Sequence, residues 1–230
     1  MKLGVLFSGG KDSVYACDIA RRYHDVKCLI TLISGNSESY MFHTPNIDLT
    51  ALQADAMGIP IIQIHTQGEK ETELEDLRAA IELGITNYGI DGIVTGGLES
   101  VYQTSRVQTI CHDLDLWCFN PLWKKDQIDL LTELVEGGYR VMISGIFAYP
   151  LTEDWLGRIL STEMITELID LYERYQLNPS GEGGELETTV LDAPFFRKRL
   201  MVDRFTASAH LNAGVLAVEK AHLEEKEGIP

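Results

Sequence analysis

The chain of 230 residues is short of basic charge: 19 Lys+Arg stand against 35 Asp+Glu, a formal net charge of −16 with His neutral. A protein that binds nucleic acid by neutralising phosphates normally shows a basic face, so direct nucleic-acid binding is not expected. Long hydrophobic runs are also missing. No stretch approaches the roughly 20 apolar residues of a membrane span, and MKLGVLF meets Ser8, Gly9 and Gly10 before it can form the apolar segment of a signal peptide. No membrane partner and a cytoplasmic location are therefore expected. Cysteine is sparse: Cys17, Cys28, Cys111 and Cys118 include no C-x-x-C pair, which argues against a zinc knuckle or a thioredoxin-type couple. Cys17 and Cys28 read as small core residues, and no sulfur chemistry is expected. Repeats and low-complexity linkers are absent. With 45% hydrophobic and 23% charged residues, the chain is an ordinary globular one, long enough for a real core.

Apolar runs and amphipathic stretches alternate from the N-terminus. Lys2–Phe7, Val26–Ile33, Ile59–Ile64, Ile90–Thr95, Leu116–Phe119 and Val141–Ile146 read as strands, with helical spacing between them. This alternation implies βαβ units, hence an α/β fold with a parallel sheet covered by helices on both faces. The pattern changes after Pro150. Ser161–Tyr175 reads as a helix, Asn178–Gly184 as a turn region, and Leu186–Leu191, Leu200–Ala207 and Gly214–Val218 as β-rich runs before an acidic tail. Two tightly joined parts are expected: 1–150, and a smaller C-terminal α+β subdomain over 151–230.

Ser8-Gly9-Gly10-Lys11-Asp12-Ser13 lies between the first strand and the first helix. A helix N-terminus offers unpaired N–H groups to an anion, and glycines let the backbone come close to phosphate oxygens. Ser8 and Ser13 add hydroxyls, Lys11 a point charge, and Asp12 suits either a magnesium ion or a helix cap. Neither a Walker A loop nor G-x-G-x-x-G fits these residues. The second concentration of chemistry is Asn178–Thr188, where Glu182, Glu185 and Glu187 stand beside Gly181, Gly183 and Gly184. If Leu186 begins a strand, Glu185 and Glu187 share one face. Paired carboxylates there suit a metal, a cation or an ammonium group.

The hexapeptide resembles the SGG-x-DS pyrophosphate loop of the N-type ATP pyrophosphatases, whose HUP-like, adenine nucleotide alpha hydrolase type fold this resemblance implies. Together with Asn178–Thr188, Thr95-Gly96-Gly97, Tyr102-Gln103, Arg106, Pro121-Leu122-Trp123, Trp155-Leu156-Gly157 and Leu191–Phe196, it resembles the diphthine–ammonia ligase family over almost the whole chain. Leu186 stands where that family usually has Tyr or Phe. The length is like that of the short archaeal forms, without the added C-terminal domains of eukaryotic relatives.

The resemblance implies ATP-dependent amidation of the diphthine carboxylate on translation elongation factor two. An acyl-adenylate would form and ammonium would displace AMP, with ATP and magnesium required. It implies ATP contacts from Ser8, Gly9, Gly10, Lys11, Asp12, Ser13, Ser34, Gly96 and Gly97, with Asp12 also a magnesium ligand. Asp12, Glu182, Glu185 and Glu187 are the catalytic candidates. His43, Tyr102, Gln103, Arg106, Gly183 and Gly184 are the substrate-binding ones. The trimethylammonium of diphthine cannot donate ordinary hydrogen bonds, so carboxylates and aromatic faces would attract it. The alternatives are a tRNA-modifying adenylating enzyme of the same superfamily and a nucleotide-binding protein without chemistry. Whether the chain forms a homodimer stays open.

Overall fold

The structure is a computed structural model that describes residues 1–34, 45–67 and 72–226. Two compact units divide the chain, Met1–Trp123 and Lys124–Pro230. The first holds strands β1 (Lys2–Leu6), β2 (Asp25–Ser34), β3 (Ile61–Thr66), β4 (Gly92–Val94) and β5 (Trp117–Phe119). Its helices are α1 (Lys11–Tyr23), α2 (Thr50–Met57), α3 (Thr72–Tyr88) and α4 (Val101–Asp113). All five strands are parallel, in the order β3-β2-β1-β4-β5.

Crossovers β1→β2 and β2→β3 run one way along this sheet, and those to β4 and β5 run the other way. Right-handed connections then place α1 and α2 on one face, and α3 and α4 on the other. The core confirms the second pairing: Leu77, Ala80 and Ile81 of α3 and Val107, Ile110 and Cys111 of α4 share one cluster with Cys28, Ile30, Ile62 and Ile93. Strand β2 is buried on both faces, which explains its unbroken apolar run. Cys17 and Cys28 are fully buried, as read.

The second unit holds α5 (Gln127–Glu136), β6 (Arg140–Ile146), α6 (Thr162–Tyr175), β7 (Leu186–Asp192), β8 (Lys198–His210) and β9 (Ala213–Glu225). Its sheet is antiparallel in the order β7-β6-β9-β8. Two expectations need correction. Val141–Ile146 does not continue the parallel sheet: it pairs antiparallel with β7 and β9, so the architecture changes before α5 and not at Pro150. A run buried on both sides carries no mark of strand direction, so local pattern could not tell the two apart. The supposed acidic tail is strand as far as Glu225: β8 and β9 are 13 residues each, well beyond the runs that end at Ala207 and Val218.

Most of that ribbon is solvated, which hides the alternation of a half-buried strand. Its cross-strand ion pairs, Arg199–Glu224 at 2.6 Å and Arg204–Glu219 at 2.5 Å, are exposed and worth about 0.2–1 kcal/mol each. They align the ribbon, while buried Leu200 and Leu216 anchor it. Among the described residues no helix is long and apolar enough to cross a membrane.

Cys111 and Cys118 are seven positions apart in sequence, yet the end of α4 and β5 bring their thiols into a hydrogen bond. Cys111 donates, which lowers the Cys118 thiol against the opposing effect of burial and raises that of Cys111. Burial raises Cys17 to about 12 and Cys28 to about 11. Because the thiolate is the nucleophile, iodoacetamide near neutral pH should label Cys118 first, and Cys111→Ala should slow that labelling. Peptide mass spectrometry reads the order; earlier labelling of Cys17 or Cys28 would contradict the assignment.

Candidate functional site

In the first unit, the strand order reverses between β1 and β4, the place where open α/β sheets bind ligands at their carboxyl ends. Residues Ser8–Ser13 follow β1 there. Phe7 still donates its N–H to the Ile30 carbonyl at 2.8 Å, and Thr31 Oγ1 donates to the Phe7 carbonyl at 2.6 Å. The chain then turns at Gly9, whose φ is +78°. Gln53 of α2, fully buried, donates from Nε2 to the Gly9 carbonyl at 2.9 Å. A Cβ on Gly9 would lie 2.2 Å from Gln53 Oε1, so both the backbone angle and the space require glycine here.

The two serines hold the loop together. Ser13 Oγ accepts from the Ser8 N–H at 3.2 Å and donates to the Gly10 carbonyl at 3.1 Å, and the two hydroxyls are 3.2 Å apart. Gly10 is the N-cap of α1 and makes no side-chain cap bond, so of the two roles open to Asp12 the cap is not taken up. Instead Asp12 Oδ2 meets Lys11 Nζ at 2.9 Å, with Lys11 buried. Asp12 Oδ1 is buried without a hydrogen-bond partner among the described residues.

Gly96, after β4, reaches the same turn: a Cβ there would lie 2.8 Å from the Asp12 carbonyl carbon and the Ser13 nitrogen. Gly97 donates its N–H to Thr95 Oγ1 at 3.4 Å, and that hydroxyl donates to Asn120 after β5. Ser34 closes β2, opposite Thr66 of β3. Loop, Ser34 and Gly96-Gly97 therefore all stand at the carboxyl edge of one sheet.

Tyr102, Gln103 and Arg106 lie together on α4. The Arg106 guanidinium lies 3.4 Å from the Tyr102 ring centre, and its Nη1 donates to the Tyr102 carbonyl at 3.4 Å. Gln103 donates its backbone N–H to Ser100 Oγ at the N-cap of α4. His43 lies outside the described residues.

In the second unit, the acidic loop is folded by amides. Asn178 Oδ1 accepts from Glu182 N–H and from Ser180 Oγ, both at 3.2 Å. Gln127 Oε1 of α5 accepts from Ser180 N–H at 3.2 Å and Ser180 Oγ at 3.1 Å. Two successive turns bond Gly181 N–H to the Asn178 carbonyl at 3.0 Å and Gly184 N–H to the Gly181 carbonyl at 2.9 Å. Gly181 and Gly184 have φ of +74° and +87°.

Strand β7 does begin at Leu186, so Glu185 and Glu187 share a face while buried Leu186 packs under Gly181. Glu185 turns back on its own loop: Oε1 accepts the Asn178 N–H at 3.3 Å, and Oε2 is buried without a hydrogen-bond partner among the described residues. Exposed Gly183 lies against that carboxylate, where a Cβ would be 2.7 Å from Oε1. Gln53, Asn120 and Gln127 escaped the sequence reading; uncharged amides in helices and turns carry no motif.

Residues 1–117 match the model of the Diphthamide synthase N-terminal domain and residues 126–223 that of its C-terminal domain. The chain belongs to the diphthamide synthase family. A diphthine–ammonia ligase of Mus musculus is 32% identical over 98% of this chain and 94% of its own length. One of Schizosaccharomyces pombe is also 32% identical over 98% of this chain, but over only 40% of itself. The short length is thus shared with a mammalian relative and does not set the chain apart from eukaryotic ones. One solved structure, of a subunit described as part of a tRNA methyltransferase of Methanocaldococcus jannaschii, matches with TM-score 0.44 and 18% identity. It covers 84% of this chain and 98% of that one. The family boundary falls beside the unit boundary at Trp123, and each glutamate of the acidic loop lies inside the C-terminal match.

Gly96→Ala tests the close approach at the switch point. The methyl group must displace backbone of the first turn of α1, at a cost of about 1–3 kcal/mol. Denaturant unfolding should register that loss, and calorimetry should show ATP affinity falling by about tenfold or more; unchanged affinity would separate the loop from the nucleotide.

Proposed function

We propose that this chain amidates the carboxylate of diphthine on translation elongation factor two, consuming ATP and ammonium and releasing AMP and pyrophosphate. Met1–Trp123 is then the ATP-binding PP-loop part and Lys124–Pro230 the substrate-binding part, acting in the cytoplasm. The observation that carries the reading is the loop after β1. It is a glycine turn at a helix N-terminus, locked by Gln53 and the two serines, with an unpartnered carboxylate oxygen on Asp12 beside a buried lysine.

These residues fit a triphosphate and its metal. Gly9, Gly10 and the N-terminus of α1 would hold phosphate oxygens, with Lys11 near them. Asp12 would hold magnesium, which commonly takes only one or two carboxylates and completes its shell with phosphates and water. When bound, magnesium supplies charge neutralisation for the phosphates. Ser34, Gly96 and Gly97 stand at the same sheet edge for the nucleoside.

The diphthine carboxylate is a poor electrophile because its charge is delocalised. Its oxygen attacks the α-phosphorus, the bond to the β-phosphate oxygen breaks, and pyrophosphate leaves with an acyl-adenylate formed. Ammonia, formed as ammonium gives up a proton to water, attacks the acyl carbon; the carbon–oxygen bond breaks, AMP leaves with the electron pair, and a second proton passes to water as the amide forms. The chain's part is positioning and charge stabilisation. Glu182 and Glu187 are the groups we assign to the cationic reactants. Glu185 is bonded into its loop, so its role is to hold that loop in shape.

The test is incubation with elongation factor two carrying diphthine, ATP and isotopically labelled ammonium, followed by mass measurement of the modified histidine. Label, AMP and pyrophosphate should appear in equal amounts. Asp12→Asn should lower kcat by about 10²–10³-fold, the usual loss when one charge-stabilising group is removed. No label from a factor preparation that a relative can amidate would overturn the proposal.

A further inference from the structure

Phe147 stands just beyond β6, 43% exposed, and its N–H donates to the Glu185 carbonyl at 2.9 Å, which carries the β6–β7 ladder one step further. In the same ladder Gly145 pairs with Glu187 and Ile146 with Leu186. Side chains alternate across a strand, so Phe147 shares a face with the Gly145–Glu187 pair, opposite the face that buries Leu186. Gly145 has no side chain, and the two neighbours close over it. A Cβ built there would meet Phe147 Cε2 at 2.8 Å, Glu187 Cβ at 2.9 Å and Phe147 Cζ at 3.2 Å.

An aromatic ring and the stem of a carboxylate are thus packed side by side by the glycine beneath them, and the ring is left facing water. Core packing does not account for that exposure, because the ring would gain more by burial. A cation with an apolar surface draws on both groups. The ring attracts it through its quadrupole, the carboxylate through charge, and neither requires the cation to donate a hydrogen bond. A bare ammonium ion gains less, since giving up water costs it hydrogen bonds that the ring does not replace.

We infer that Phe147 and Glu187 form a subsite for the trimethylammonium group of the substrate side chain, distinct from the place where ammonium enters. This rests on diphthine being the substrate. Glu187 here is a binding residue, and Phe147 sets which cation is accepted.

Two measurements on the whole chain test it. Tetramethylammonium chloride is titrated while the aromatic resonances of Phe147 are followed by NMR, with ammonium chloride as the equally charged control. Tetramethylammonium should shift those resonances saturably and ammonium should not; Phe147→Leu and Glu187→Gln should each weaken binding by about tenfold, while Phe147→Trp keeps it. In turnover, Phe147→Leu should raise KM for the modified factor by about tenfold and leave KM for ammonium within about twofold, with Phe147→Trp restoring the wild-type value. An unchanged factor KM together with no tetramethylammonium binding would overturn the subsite, as would a rise confined to the ammonium KM. If the wild-type chain amidates nothing, the reading of its activity fails, while the tetramethylammonium titration still decides whether the cation site exists.

Discussion

Backbone meets backbone where Gly96 touches the first turn of α1, and the rest of the first unit is arranged around that approach. A side chain at Gly96 would force the two apart, because its Cβ would lie 2.8 Å from the Asp12 carbonyl carbon. The strand order makes the contact necessary. β1 and β4 are neighbours whose following segments leave toward opposite faces, so the loop after β1 and the turn after β4 share the gap at their carboxyl ends. Gln53 then grips the Gly9 carbonyl from a third element, and the two serines tie the loop to itself. A loop over-determined in this way holds its N–H groups in place before any ligand arrives, and that order is the part of binding that otherwise costs entropy.

The acidic loop uses the same economy with different residues. Asn178, Ser180 and Gln127 make the bonds that set its path, and none of them is charged. Glu185 is the exception, since one of its oxygens accepts from Asn178 N–H and its partner oxygen is buried. The three glutamates, equivalent as letters, therefore differ in position: Glu185 accepts from the backbone of its own loop, and Glu187 stands on the strand beside an exposed phenyl ring.

How much of this was legible depends on where the signal lay. The parallel sheet could be read because each βαβ unit writes its own local period, and the Ser8–Ser13 loop because its residue types have few other uses together. The antiparallel placement of β6 could not, since Val141–Ile146 is buried on both faces exactly as a parallel strand would be, and direction is set by partners far away in sequence. The reach of β8 and β9 was lost for the opposite reason: polar residues on both faces erase the alternation that marks a strand. Gln53 and Gln127 act through a single amide each, which no spacing announces. Cys111 and Cys118 are too far apart for any metal or redox spacing rule, and only the return from α4 into β5 brings them together.

The charge balance also gains content from the geometry. Lys11 is already paired with Asp12, so the loop does not present an isolated positive charge to a triphosphate. A polyanion approaching a chain of net charge −16 is repelled once it comes within about a Debye length, roughly 8 Å at physiological salt, because beyond that distance salt screens the field. On the proposed reading, attraction for a triphosphate would come from short-range sources, namely the N–H groups at the start of α1 and a divalent cation carried with the phosphates. A protein substrate with a basic face would experience the same field with the opposite sign, and would be drawn in over that range. On that reading the acidity that works against a nucleotide favours the protein partner, and nucleotide affinity is left to groups that act only on contact.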